Sequence, residues 1–414
     1  MTTLISPDTN RISAMGFPSI AHVPVIFATS GQYLRVENRY LRERATGDWY
    51  PDNGSPYPSK LTLIKTAYSL LNFIEWSDVR GFTFETTTYD NVLQYQREQL
   101  NGTWSTYERP LAAATANQRA DEVTHFLTWA AFRGLREPFD VKRFYARRRF
   151  SGDTGPPRMV RAGRAKQRNT AQTSSNFVLP TIPEVRTWLS LLRETKGTAK
   201  YLACRCIIEV GLRRHEVEAL TVSQWPTRSN IRDAIERHQT NVSLELHVTK
   251  GGYSRTVEVP MQLAISIRQW IDEKRPTYEY RLLKKRRWKT AIQLFLSDHQ
   301  TAHGNPISAM TIYRAFTEVK PGPRVWTPHK GRHVFACFFI LNALELEARP
   351  HGGISVMGAD WAMHRGQFWL TMLRDQLGHK TMTTVMTYLR WLITSCGIAD
   401  LMTAYHSLLN DDAA

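Results

Sequence analysis

Apolar residues recur with a helical period along most of this chain and with a strand period in only one place, a contrast that sets the fold class as mainly α with a small β-hairpin (α+β). Between Leu61 and Pro138, Leu63, Ala67, Leu70, Leu71 and Ile74 share one helical face, while Ala116, Ala120, Val123, Leu127 and Ala131 share another. Gly81 and Gly134 stand where helix C-terminal caps would fall. A second helical stretch opens with a capping box, Thr181 followed three residues later by Glu184, ahead of Val185, Trp188, Leu189 and Leu192. The exception runs from Val242 to Pro260: Val242, Leu244, Leu246 and Val248 alternate with polar residues, then Gly251-Gly252 precede a second short run, Thr256 to Val259. That pattern reads as a hairpin with a glycine turn.

These periods divide the 414 residues into four regions. Residues 1–58 scatter Pro, Gly, Asn and Ser without a sustained period, and an irregular segment is expected there. Residues 59–140 form a small helical domain, residues 141–176 a basic linker, and residues 177–414 a second, mostly helical domain ending in a helix. The linker carries ten Lys and Arg between Lys142 and Arg168 against a single acid, Asp153. It is either a solvated hinge or a strap across a nucleic-acid backbone, and the mutual repulsion of so many like charges favours the strap. Its candidate DNA contacts are Arg147, Arg148, Arg149, Arg161, Arg164, Lys166 and Arg168.

Charge narrows the partners. With 54 Lys and Arg against 37 Asp and Glu, the net charge of +17 favours a polyanion, nucleic acid ahead of an anionic membrane surface. The longest apolar stretch, Phe335 to Leu344, is about half of what a bilayer span requires, and the N-terminal residues lack the basic and apolar regions of a secretory signal. Four cysteines without a C-x-x-C pair form neither a disulfide framework nor a zinc pattern, so a cytoplasmic, nucleoid-associated location is expected.

Four segments of the second domain carry candidate chemistry. Arg213 follows Gly211-Leu212 at a helix end; Lys250 stands at the hairpin tip before the two glycines; His329 and Arg332 lie three residues apart, on one side of a helix turn. The fourth segment is Leu377-Gly378-His379 with Tyr388 nine residues beyond His379. Taken singly, each has a bland reading: G-L-R is common, turn lysines are mostly solvated, and Tyr388 beside Val385 and Trp391 suits a core tyrosine.

Together and in this order, the segments resemble the active site of the tyrosine recombinase (phage-integrase) family of site-specific recombinases, from about Val178 to the end and more loosely from Leu61. The resemblance implies a helical core-binding domain and a catalytic domain forming a C-shaped clamp on double-stranded DNA. It implies that Tyr388 attacks a phosphodiester to leave a 3′-phosphotyrosyl bond and a free 5′-hydroxyl. A phenol, with a pKa of about 10, is protonated at neutral pH and needs a base; by resemblance that base is His329. Arg213 and Arg332 would clamp the non-bridging oxygens, whose geometry suits planar guanidinium groups. His379 would add a donor, Lys250 would protonate the departing 5′-oxygen, and Glu216 would be the supporting carboxylate that orients active-site side chains. The residues offer neither a carboxylate cluster for a metal nor a P-loop, so no cofactor is expected. Strand exchange in this family takes four protomers through a Holliday junction, with accessory proteins in some systems.

His329 and His379 lie fifty residues apart, about twice the family spacing, and Glu347 to Gly366 looks like an inserted surface loop. His333 is expected to face away from the site and to be structural, while His351, His364 and Cys204-x-Cys206 read as ordinary residues. The run Lys284 to Arg287 suits either DNA contact or a solvated helix face. At the C-terminus, Ile398, Leu401, Met402, Tyr405, Leu408 and Leu409 share a helical face that would dock on a neighbouring protomer or on its own domain. Two rival functions remain at this point: a type IB topoisomerase that nicks one strand, and a non-catalytic sequence-specific DNA-binding protein.

Overall fold

The computed structural model describes residues 2–52, 54–105, 108–146, 158–166, 179–249, 253–285, 291–299, 302–378 and 388. The chain splits into two units, Met1–Asn169 and Thr170–Ala414. Helices dominate both, and the sheets within each are two-stranded and antiparallel.

The first unit contains β1 (Thr3–Ile5), α1 (Thr9–Ala14), β2 (Val25–Phe27), α2 (Arg35–Thr46), α3 (Lys60–Val79), α4 (Tyr89–Asn101), α5 (Ala113–Phe132), β3 (Arg143–Ala146) and β4 (Arg158–Arg161). Residues 1–58, expected to be irregular, are largely folded: Val23, Ile26, Tyr40 and Leu41 are buried in the same core as Leu63, Trp76, Phe126 and Trp129. Three-residue strands and a six-residue helix are too short to register a period, so their order comes from packing rather than from pattern. Asn38 illustrates this: its buried amide accepts from the Ile26 N–H at 2.8 Å and donates to the Ile26 carbonyl at 2.7 Å, completing the hydrogen bonding of β2. Side-chain caps start the long helices, Ser59 on α3 and Thr88, in a capping box with Asn91, on α4.

Part of the expected linker is likewise built into this unit. β3 and β4 pair antiparallel with Arg143 opposite Arg161, and the residues after β4 dock on α4 and α5. Gln96 donates to the Gly163 carbonyl at 3.1 Å, and Asn117 both donates to and accepts from the Ala165 backbone at 2.9 Å. Arg161 is therefore corrected from a DNA-facing cation to a buried anchor: its guanidinium meets Asp121 at 2.8 Å and Gln96 at 2.5 Å. A buried cation needs such partners because desolvation penalises it heavily. Arg164 shares Asp121 at 2.6 Å but is partly exposed, and Lys166 is exposed.

The second unit contains α6 (Ile182–Lys196), α7 (Thr198–Val210), α8 (Arg214–Ala219), α9 (Arg228–Glu236), β5 (Asn241–Leu246), β6 (Arg255–Pro260), α10 (Met261–Gln269), α11 (Arg275–Lys285), α12 (Ala309–Glu318), α13 (Pro328–Ala348) and α14 (Ile354–Leu377). The capping box at Thr181 and Glu184 forms, with the Thr181 N–H donating to the carboxylate at 2.7 Å. From α6, Trp188 packs on Phe316 at 4.7 Å and Trp326 at 5.4 Å between centroids, distances at which aromatic pairs attract. The hairpin pairs Val242 with Val259, Leu244 with Val257 and Leu246 with Arg255, and its alternating residues are buried on α7 and α10.

The stretch Glu347 to Gly366, expected to be a surface loop, is instead mostly helical. α13 ends in a single 3₁₀ turn, and α14 returns against it with Ile340, Leu344, Ala362, Leu370 and Leu373 buried together. Gly352 and Gly353, which give the sequence its loop-like look, occupy only the turn, at φ 91° and 96°. Glu347 on α13 holds Arg365 on α14 through two contacts of 2.7 and 2.5 Å.

Candidate active site

Two helix ends bring the candidate arginines together. α7 stops at Gly211 and α14 at Gly378, both left-handed (φ 77° and 60°), a conformation that L side chains enter at a cost. The last carbonyls of a helix lack intrahelical donors. Here guanidinium groups supply them: Arg332, in the second turn of α13, donates to the Gly211 and Leu377 carbonyls, and Arg213, at the start of α8, donates to the Gly378 carbonyl at 3.0 Å. Arg332 is only 2% exposed, and burial together with the neighbouring Arg213 pulls its pKa down to about 9.

Glu216, one turn into α8 and buried, is the carboxylate of the cluster. It accepts from the Arg213 side chain and N–H, each at 2.8 Å, and holds Arg255 of β6 in a fork–fork pair at 2.7 and 2.8 Å. Burial raises the Glu216 pKa, yet the hydrogen bonds and charges of Arg255 and Arg213 outweigh it and hold the carboxyl below its ordinary value. Arg255 also donates to the Gln376 carbonyl at 3.4 Å, so it bridges the hairpin, α8 and the end of α14. Among the described residues, three guanidinium groups face one carboxylate here, a net charge of +2 that suits an oxyanion.

Tyr388 lies beside the cluster, 1% exposed, among Ala336, Cys337, Ile340 and Leu377. Burial pushes its phenol up to about 12 against the opposing pull of Arg332 and Arg213, with Cys337 adding to the rise. Its hydroxyl is 3.0 Å from Nδ1 of His333. The ring of His333 in turn meets that of His329, one turn back on α13, at 4.2 Å between centroids.

Of the expected site residues, Arg213, Glu216, Arg332 and Tyr388 come together; His329 is exposed on α13, and its ring meets that of His333, which contacts Tyr388. The expectation that His333 is structural and faces elsewhere is corrected: its Nδ1 contacts the phenol. The (i, i+4) spacing of the two histidines would have placed both on one face. Arg255 was also missed, although it alternates with the inward-facing Val257 and Val259. Lys250, His379, Arg147, Arg148, Arg149, Arg168 and the C-terminal face from Ile398 to Leu409 lie outside the described residues. Among the described residues, no helix is long and apolar enough to cross a membrane.

No family model and no curated protein matches this sequence. Solved structures do. The chain resembles the XerH site-specific recombinase bound to palindromic difH substrate in a post-cleavage complex, at 14% identity and TM-score 0.50, over 83% of this chain and 81% of that one. The Tn1549 transposon integrase with transposon right end DNA matches at 16% identity and TM-score 0.46, over 86% and 93%. A lambda integrase dimer on a COC′ core site matches at 14% identity and TM-score 0.46, over 86% and 94%. At this identity the likeness to XerH speaks to architecture, and the chain has the fold of the tyrosine recombinases.

Proposed function

We propose that this protein is a site-specific DNA recombinase that cleaves and rejoins DNA through a 3′-phosphotyrosyl intermediate. The observation that carries the reading is the placement of a buried tyrosine next to two arginines, in a cluster of net positive charge. Tyr388 is the nucleophile. Arg213 and Arg332 turn from helix-end carbonyls to the non-bridging oxygens of the phosphate and stabilise the charge of the transition state, an effect for which loss of one donor typically costs about 10²–10³ in rate. Glu216 orients Arg213. Lys250 protonates the leaving 5′-oxygen, His379 donates to the phosphate, and His329 belongs to the path that takes the phenol proton. The reaction keeps the bond energy in the phosphotyrosine, and neither metal nor ATP takes part.

Double-stranded DNA is the partner, engaged by Arg147, Arg148, Arg149, Arg164, Lys166 and Arg168, with four protomers on two sites during exchange. Phosphate contacts of this kind make binding strongly salt-dependent. The resemblance of the fold to that of XerH, a site-specific recombinase, supports this class over a simple DNA-binding module.

The test is covalent trapping on suicide DNA substrates in EDTA. The expected result is a protein–DNA adduct at one defined sequence, abolished by Tyr388→Phe with DNA binding retained. Adducts without site preference would point to topoisomerase-like nicking, and no adduct at any sequence would refute the proposed chemistry.

A further inference from the structure

The chain places a second histidine between the proposed nucleophile and the residue that resemblance casts as its base. Tyr388 is buried and its hydroxyl lies 3.0 Å from His333 Nδ1, within the reach that a general base needs. His333 is half-buried, and His329, whose ring packs on it at 4.2 Å, is exposed. The three groups thus step from the interior to the surface, from Tyr388 to the two histidines in the first two turns of α13.

We infer that His333 is the immediate acceptor of the Tyr388 proton and that His329 passes that proton on to water. This rests on the proposed phosphotyrosyl chemistry. In the resting state the phenol O–H donates to Nδ1 of a His333 whose own proton sits on Nε2. As Tyr388 Oη bonds to phosphorus, its proton moves to Nδ1, and the bond from phosphorus to the 5′-oxygen breaks with that oxygen taking a proton from Lys250. The imidazolium of His333 then loses its Nε2 proton through His329 to solvent. Among the described residues, Arg332, Arg213 and Cys337 also act on the phenol. The arginines favour the phenolate that forms but cannot accept a proton.

The experiment uses the full chain on a suicide substrate and measures single-turnover adduct formation with natural tyrosine or fluorinated tyrosine at position 388. The His333→Asn variant places an amide where Nδ1 stands, and His333→Gln is a second replacement should the first fail to bind DNA. The expected result is unchanged DNA affinity with adduct formation slowed about 100-fold or more, the range in which general bases act. A more acidic fluorinated phenol should restore much of that loss in the His333 variant. A His333 variant that cleaves at the parental rate, or one whose loss fluorination leaves unchanged, overturns the inference. It is also overturned if fluorination rescues His329→Gln but not His333→Asn, since His329 would then be the direct acceptor. A parent that forms no adduct at all defeats the underlying recombinase reading instead.

Discussion

Removing Arg255 tests whether the arginine cluster is held together by its one carboxylate. In Arg255→Met, Glu216, 3% exposed, loses two charge-assisted hydrogen bonds of 2.7 and 2.8 Å. Hydrogen bonds to charged groups contribute about 1.5–3 kcal/mol each, and breaking a buried ion pair by deleting one partner costs about 3–5 kcal/mol. Glu216 keeps the Arg213 guanidinium and N–H at 2.8 Å, so the loss falls at the lower end, about 3 kcal/mol. At about 1.4 kcal/mol per decade, that is roughly a hundredfold in an opening equilibrium. Hydrogen exchange reads it: the slowest amides of α7, which pack against β6 and α8, should exchange about a hundredfold faster at neutral pH. Adding Glu216→Gln removes the stranded charge, so the double variant should be more stable than the sum of the two single losses by about 1 kcal/mol or more. Acceleration below about tenfold, or strict additivity in the cycle, would show that the pair does not hold the site.

Two further outcomes follow from the same cluster. The folded-state pKa of Glu216 is depressed, so its contribution is fully present above the unfolded value of about 4.3 and disappears as pH falls through the lower folded value. Acid titration of stability should therefore show a shallower loss below about pH 4 in Glu216→Gln than in the parent, and parallel acid limbs would refute the assignment. Gly378→Ala adds a Cβ that meets the Arg255 side chain at 2.9 Å in a left-handed backbone (φ 60°), whereas Gly353→Ala, at φ 96°, meets nothing within 4 Å. Both lose about 1–2 kcal/mol for the backbone, and calorimetry should find a larger loss for Gly378→Ala; equal losses would mean that the Arg255 contact yields freely.

What could be read without coordinates was local. The 3.6-residue period of α3, α5 and α6, the capping box at Thr181 and the alternation of β5 depend on neighbours a few residues away, so the order of residues determines them. The candidate arginines and Tyr388 were legible for a related reason, since phosphate chemistry demands those side chains and the short segments carrying them keep recognisable spacings. Tertiary structure decided the rest. Arg161 has the composition of a DNA strap, and only the docking of β4 on α4 and α5 buries it on Asp121. Short elements in residues 1–58 acquire order from the core of the first unit, and the helices across 347–366 from a separate core of the second, packing that no local pattern announces. The role of His333 turns on a residue 55 positions away. Which groups converge, and which are driven out of water, depends on contacts between segments distant in the chain, and desolvation then sets their chemistry.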